Sequence, residues 1–241
     1  MRRSRFGTGW QTLALNQPQD APVAVSPRRP LAVSHFRIAF PPGVGMASRQ
    51  TFSMASRRKQ ASLERGERVY LRWPTARDAK EVITTVRASR ALHRPWVYPS
   101  DTKTAFEGYI RRTRECDYVG LLICRNNDDR ITGMVNLSQI FRGNLQGAYL
   151  GFWASAEFAG QGYMTEGLQL VLRYAFKRLR LHRLEANVQP ENEKSKALIK
   201  RSGFRYEGFS PRYLKVGGKW RDHERWGILA EEVRGGLKGE R

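Results

Sequence analysis

The segment Phe158-Ala159-Gly160-Gln161-Gly162-Tyr163-Met164-Thr165-Glu166 joins a strand-like run, Ala148 to Ser155, to the most strongly helical stretch of the chain, Met164 to Leu179. In that stretch Leu168, Val171, Leu172, Ala175 and Phe176 recur at the spacing of a buried stripe. Glycines at such a junction let consecutive backbone N–H groups turn inward, and the following helix adds the positive end of its dipole, so the segment is suited to phosphate oxygens. Two glycines one residue apart also simply end a strand, and the pair alone does not separate these readings. No GxxxxGK[ST] loop is present, and Thr165 stands where the dinucleotide fingerprint GxGxxG needs its third glycine. The pattern therefore asks for a different pyrophosphate ligand.

Working outward, Val69 to Trp73 alternates as a strand that Pro74 ends. A helix is predicted over about Ala76 to Arg90, with Ala79, Val82, Ile83 and Val86 on one face, and a second one follows Thr102, with Ala105, Phe106, Tyr109 and Ile110 at helical spacing. Tyr118 to Arg125 and Ile131 to Ile140 flank the turn Asn126-Asn127-Asp128-Asp129 as a hairpin. After the central helix, Leu184 to Val188 reads as a strand, Glu193 to Ser202 as a helix stopped by Gly203, and Tyr213 to Val216 with Arg221 to Leu229 as a hairpin across Gly217-Gly218. The order β-α-α-β-β-β-α-β-α-β-β specifies an α/β fold, one domain built on a mixed sheet.

The 241 residues carry 43 basic and 22 acidic side chains, net +21. An anionic partner is expected, and nucleic acid, an anionic membrane surface and a polyphosphate cofactor all fit. Residues 1–63 hold ten basic residues and one acid, Asp20, so +9 of that charge sits there. The stretch lacks apolar periodicity and is interrupted by Pro18, Pro22, Pro27, Pro30, Pro41 and Pro42, which reads as a disordered basic extension dispensable for fold and catalysis. It can be a tail, a basic anchor, a transit peptide or the product of a start assigned upstream of Met46 or Met54. Residues 64–233 are read as the folded domain and 234–241 as a flexible tail. No apolar run approaches the roughly 18 residues of a transmembrane helix. Cys116 and Cys124 form no metal-ligand or disulfide pattern, which suits a reducing, cytoplasmic setting.

Gly160-x-Gly162 opening a helix, then Asn192-x-x-Ser195, then Gly203-Phe204-x-x-Glu207-Gly208 closely resembles the GNAT superfamily of acetyl-CoA-dependent N-acetyltransferases. Ala156 to Glu166, His182-Arg183 and Trp220-Arg221-Asp222-His223 look like its ribosomal-protein-alanine, Rim-type branch, and the resemblance covers about Arg68 to Glu231. It implies a twisted sheet split between its fourth and fifth strands, here Ala148 to Ser155 and Leu184 to Val188, with acetyl-CoA in the split. Phe152, Trp153 and Ala154 would meet the pantetheine arm through main-chain groups, and Gly160, Gln161, Gly162, Tyr163, Met164 and Thr165 would bind the pyrophosphate.

Acyl transfer from a thioester to an amine needs a neutral amine, a stabilised oxyanion and a proton for the departing thiolate. The resemblance places the oxyanion donor at a backbone N–H near Trp153 or Ala154. Many relatives use a tyrosine as leaving-group acid four residues before the Gly-Phe pair, but that slot holds Ile199. Ser195 is the substitute the Rim-type branch implies; it can equally be an ordinary first-turn serine. Asn192 either contacts the pantetheine amide or caps its helix. Glu185 and Asn187 alternate onto one face of the fifth strand, so Glu185 is a candidate base or water-orienter, with pairing to Arg183 as the plainer alternative. Arg212 stands where some relatives carry an acid near Tyr213, and Glu157 where the broader family has Gln or Arg. His93, His182 and His223 fit no metal spacing and read as hydrogen-bonding or surface residues. Three functions follow: acetylation of a protein N-terminal α-amine, perhaps on a ribosomal protein; the same chemistry on a small amine, antibiotic or polyamine; or a weakly active ribosome- or RNA-binding protein.

Overall fold

Sequence alternation and burial set the layers of the sheet. The computed structural model describes residues 62–236, so the basic extension, apart from its last two positions, lies outside the described residues, as do 237–241 of the expected tail. Strands β1 (Glu64–Arg65), β2 (Val69–Arg72), β3 (Tyr118–Arg125), β4 (Ile131–Phe141), β5 (Gly147–Ala154), β6 (Arg183–Val188), β7 (Arg205–Val216) and β8 (Lys219–Leu229) form one sheet in the order β1-β2-β3-β4-β5-β6-β8-β7. Every neighbouring pair is antiparallel except β5 and β6.

Helices cover both faces. Leu168, Val171 and Leu172 of α4 (Tyr163–Arg173) and Leu198 and Ile199 of α5 (Glu193–Arg201) pack on Leu71, Leu121, Val135, Leu150, Leu184 and Ala186. On the other face Val82 and Val86 of α1 (Ala79–Ala88) and Phe106 and Tyr109 of α3 (Lys103–Arg112) pack on Tyr70, Leu122, Met134 and Trp153. Coverage of both sides explains why Tyr118 to Cys124 is an unbroken apolar run, with every residue of it buried.

Three elements depart from their expected bounds. The first helix begins as a 3-10 turn at Ala76–Asp78 and breaks at Ser89, where the short α2 (Arg90–His93) takes over. Ser89 is buried, and its Oγ accepts the N–H of Ala156 at 2.9 Å, so the break serves a tie to the end of β5. The central helix ends in a π turn at Tyr174–Arg178. β7 is far longer than Tyr213 to Val216, because an exposed edge strand has no apolar alternation to read and its ladder shifts register between Tyr206 and Gly208 and again between Ser210 and Leu214.

Beneath α1 lies a buried ion pair: Arg72 donates to both carboxylate oxygens of Asp78, at 2.9 and 2.7 Å, and Asp78 also accepts the N–H and hydroxyl of Thr75. Burial alone would raise the Asp78 pKa, but these donors outweigh it and hold the carboxyl below its ordinary value. Two buried histidines respond earlier to acid. Burial pushes His93 and His223 below the ordinary value of 6.5, against smaller opposing effects of their backbone partners and, for His223, of Asp222. A group with a depressed folded pKa contributes stability that is full above its unfolded pKa and is lost as pH falls. Tm should therefore begin to fall below about pH 6.5, well before Asp78 titrates, and His93→Gln should flatten that limb in calorimetry between pH 8 and 5; an unchanged slope would contradict the assignment.

Candidate active site

β5 and β6 pair in parallel over three rungs only, Gly147↔Arg183, Ala148↔Leu184 and Tyr149↔Glu185. Beyond them β5 continues to Ala154 against β4, and β6 continues to Val188 against β8, so the two strands part while each keeps its other neighbour. The edge of β5 that faces the opening has no ladder partner from Leu150 to Ala154. Unpaired strand edges accept an extended chain of amides by strand addition. Phe152, Trp153 and Ala154 lie on this edge; Phe152 and Ala154 turn their side chains toward α4, and Trp153 turns toward α1 and α3. The Ala154 carbonyl accepts His93 Nε2 at 2.8 Å, which fixes the strand end.

At the same end the chain enters the glycine loop. Gly160 has φ 76° and Gly162 φ 84°, left-handed values that favour glycine. Gln161 turns outward: its carbonyl accepts Arg68 Nη1 at 3.0 Å, and its side-chain amide donates to the Glu157 carbonyl at 2.9 Å. The first intrahelical bond of α4 runs from Glu166 N to Gly162 O, which leaves the N–H groups of Tyr163, Met164 and Thr165 without intrahelical partners at the positive end of the helix. Met164 is buried in the core, while the Tyr163 ring lies under the guanidinium groups of Arg68 and Arg125 at 4.8 and 5.6 Å. Glu166 accepts the backbone N–H groups of Arg68 and Val69 and pairs with the Arg68 side chain, locking α4 to β2.

Arg68, Arg125 and Arg130 thus gather beside the loop. Arg130 also crosses the Phe158 ring at 4.9 Å and is ion-paired to Glu157, which neutralises the acid at that position. Sequence reading missed these three arginines, because no motif links residues so distant along the chain. What suits a pyrophosphate here is the helix N-terminus with three N–H groups free of intrahelical partners, beside guanidinium groups that are themselves paired to Glu166, Asp128 and Glu157.

Across the opening, Asn192 caps α5: its Oδ1 accepts Ser195 N at 3.2 Å. The Ser195 hydroxyl has no hydrogen bond among the described residues and is not sealed from solvent. Ile199 is fully buried, and its aliphatic side chain has no proton to give. Glu185 sits on the last closed rung and accepts Arg183 Nε at 2.8 Å, with the same guanidinium paired to Glu207. The glycine loop thus follows the end of β5 and Asn192 the end of β6, the two strand ends that part, while Glu185 lies on the last closed rung. Trp96 is half-buried, and its carbonyl accepts Gln189 Nε2 at 3.2 Å, placing the loop after α2 over the end of β6. Among the described residues no cluster of three or more His, Cys, Asp or Glu could hold a metal, and no helix is long and apolar enough to cross a membrane.

The chain is similar to several known proteins. The chain is 34% identical over 173 residues to the probable N-acetyltransferase YjcK of Bacillus subtilis, covering 68% of this chain and 96% of that one. It is 30% identical over 167 residues to the [ribosomal protein uS5]-alanine N-acetyltransferase of Escherichia coli, covering 65% and 85%. Among solved structures, Mycobacterium smegmatis RimJ in complex with CoA-disulfide matches with a TM-score of 0.63 and 31% identity over 68% of this chain and 83% of that one. Acetyl-CoA is the cosubstrate of such N-acetyltransferases. Residues 68–205 match the acetyltransferase (GNAT) domain model, and the chain belongs to the GNAT family of N-acetyltransferases.

Proposed function

We propose that this N-acetyltransferase acetylates the N-terminal α-amine of a protein, with ribosomal proteins as the acceptor class. The observation that carries the reading is the unpaired β5 edge ending beside a glycine loop, in a chain similar to an enzyme named for uS5 alanine. In this reading the pantetheine amides add to β5 at Phe152, Trp153 and Ala154, and Gly160 to Thr165 hold the pyrophosphate. A β5 N–H near Trp153 or Ala154 stabilises the oxyanion, worth roughly 3 kcal/mol for a well-placed donor. Ser195 donates its proton to the departing thiolate, and Asn192 positions it by capping the helix. Glu185, paired with Arg183, orients a water that receives the amine proton. The net charge of +21 supports encounter with RNA-rich particles on which such proteins reside.

The test is mass spectrometry of reactions with acetyl-CoA, using peptides copied from ribosomal protein N-termini alongside spermidine and an aminoglycoside. Acetylation at the α-amine, with kcat/KM at least about tenfold above that of the small amines, is expected. A preference for the small amines would replace this acceptor with theirs.

A further inference from the structure

Side chains at alternate positions of β5 share a face, so Tyr149, Gly151 and Trp153 look away from α4. Glu185 is in register with Tyr149, and Asn187 lies one same-face step further along β6. Gly151 and Asn187 therefore straddle the opening where the strands first part, on the side opposite α4. Two features there are unexplained by the fold. A Cβ on Gly151 would meet no heavy atom within 4 Å, so open space lies above it between the rings of Tyr149 and Trp153. Asn187 Oδ1 is buried with no hydrogen-bond partner, an acceptor lacking a donor.

A third feature closes one end of that recess. β7 bulges between Ser210 and Leu214, and Arg212 in the bulge takes a φ of 48°. Its N–H donates to Asp222 Oδ1 at 2.6 Å, which pins the bulge to β8. The bulge re-aims Tyr213. Its ring packs edge-on against buried His223 at 6.3 Å, and its hydroxyl reaches that of Tyr149 across the face of β8 and β6. The two phenols bar the closed end of the split.

We propose that the recess over Gly151 receives the acceptor amine, that Asn187 Oδ1 accepts one of its N–H groups, and that Tyr213, held by the Asp222-pinned bulge, is the size stop that admits Gly-, Ala- or Ser-led termini and turns away β-branched ones. The inference rests on the acceptor class proposed above and names the residues that select within it. Asp222 is a positioning residue, acting through Tyr213.

The experiment measures kcat and KM for Gly-, Ala- and Val-led peptides and, in parallel, for methylamine, ethylamine and isopropylamine, together with acetyl-CoA affinity and Tm. Tyr213→Ala should raise the Val-to-Ala and isopropylamine-to-ethylamine ratios at least about tenfold, the scale on which a methylene or two is discriminated. Tyr213→Phe should keep the wild-type ratios, and Asp222→Ala should relax them as Tyr213→Ala does, an effect that general loosening of the hairpin would not confine to branched acceptors. Gly151→Ala, whose new methyl meets only open space, should leave Tm and acetyl-CoA affinity unchanged and lower acceptor kcat/KM at least about tenfold. Unchanged ratios in Tyr213→Ala would overturn the size stop, and loss of acetyl-CoA affinity in Gly151→Ala would assign the recess to the cosubstrate. The amine series reads the recess even if no peptide is acetylated, a result that would count against the N-terminal acceptor alone.

Discussion

Gly160→Val/Gly162→Val is expected to remain folded and to lose at least about a hundredfold in acetyl-CoA affinity. The two positions fail for related but separable reasons. Both residues have left-handed φ values, where a β-branched side chain is a strong outlier. Around Gly160 a Cβ would find open space, so the penalty there is conformational, about 1–2 kcal/mol before the loop shifts. At Gly162 a Cβ would also come within 2.9 Å of Arg68 Nη2, and moving that guanidinium releases the bond that turns the Gln161 carbonyl outward. Once the carbonyl can swing inward, an acceptor replaces donors at the site of the phosphates. Ligand at a hundred times its Kd stabilises the folded wild type by about 2.7 kcal/mol, and the corresponding rise in Tm should vanish in the double variant. Titration calorimetry with acetyl-CoA supplies the direct reading: unchanged affinity in a folded double variant would remove the loop from the cosubstrate site.

That loop was legible in the sequence because its information is local. Two glycines, a strand before and an amphipathic helix after are read from neighbours along the chain, and the order of strands and helices follows from the same periodicities. The helix that Asn192 caps was legible for the same reason, with a visible stop at Gly203, whereas the roles expected of Asn192 and Ser195 came from the family resemblance. What escaped was long-range. The arginines beside the glycine loop come from just before β2, the end of β3 and just before β4, brought together only by sheet pairing. Tyr213 is a similar case: its approach to Tyr149 depends on a bulge whose pin, Asp222, reads in sequence as one charge among several. Glu185 shows the converse. Alternation correctly placed it on the face away from α4, but which rung is the last closed one is decided by how two strands diverge, and Arg183 occupies its carboxylate.

Ser195→Ala should lower kcat by about tenfold to a thousandfold while leaving acetyl-CoA affinity and Tm near wild type. The stability half of this expectation follows from the cap. Asn192, not Ser195, satisfies the exposed N–H at the start of α5, and the Ser195 hydroxyl makes no hydrogen bond among the described residues that its removal could break. Asn192→Ala supplies the contrast, costing about 1 kcal/mol of stability through the lost cap. The rate half follows from timing: an acid for the thiolate is needed as the C–S bond breaks, so its absence is felt in the transition state and not in the bound ground state. Leaving-group chemistry separates this role from simple crowding. With an aryl thioester, whose thiolate departs without needing a proton, the deficit of Ser195→Ala should shrink toward wild type under conditions where acyl transfer limits the rate. A deficit of the same size with both thioesters would mean that Ser195 shapes the site without protonating anything, and the leaving thiolate would then have to take its proton from water.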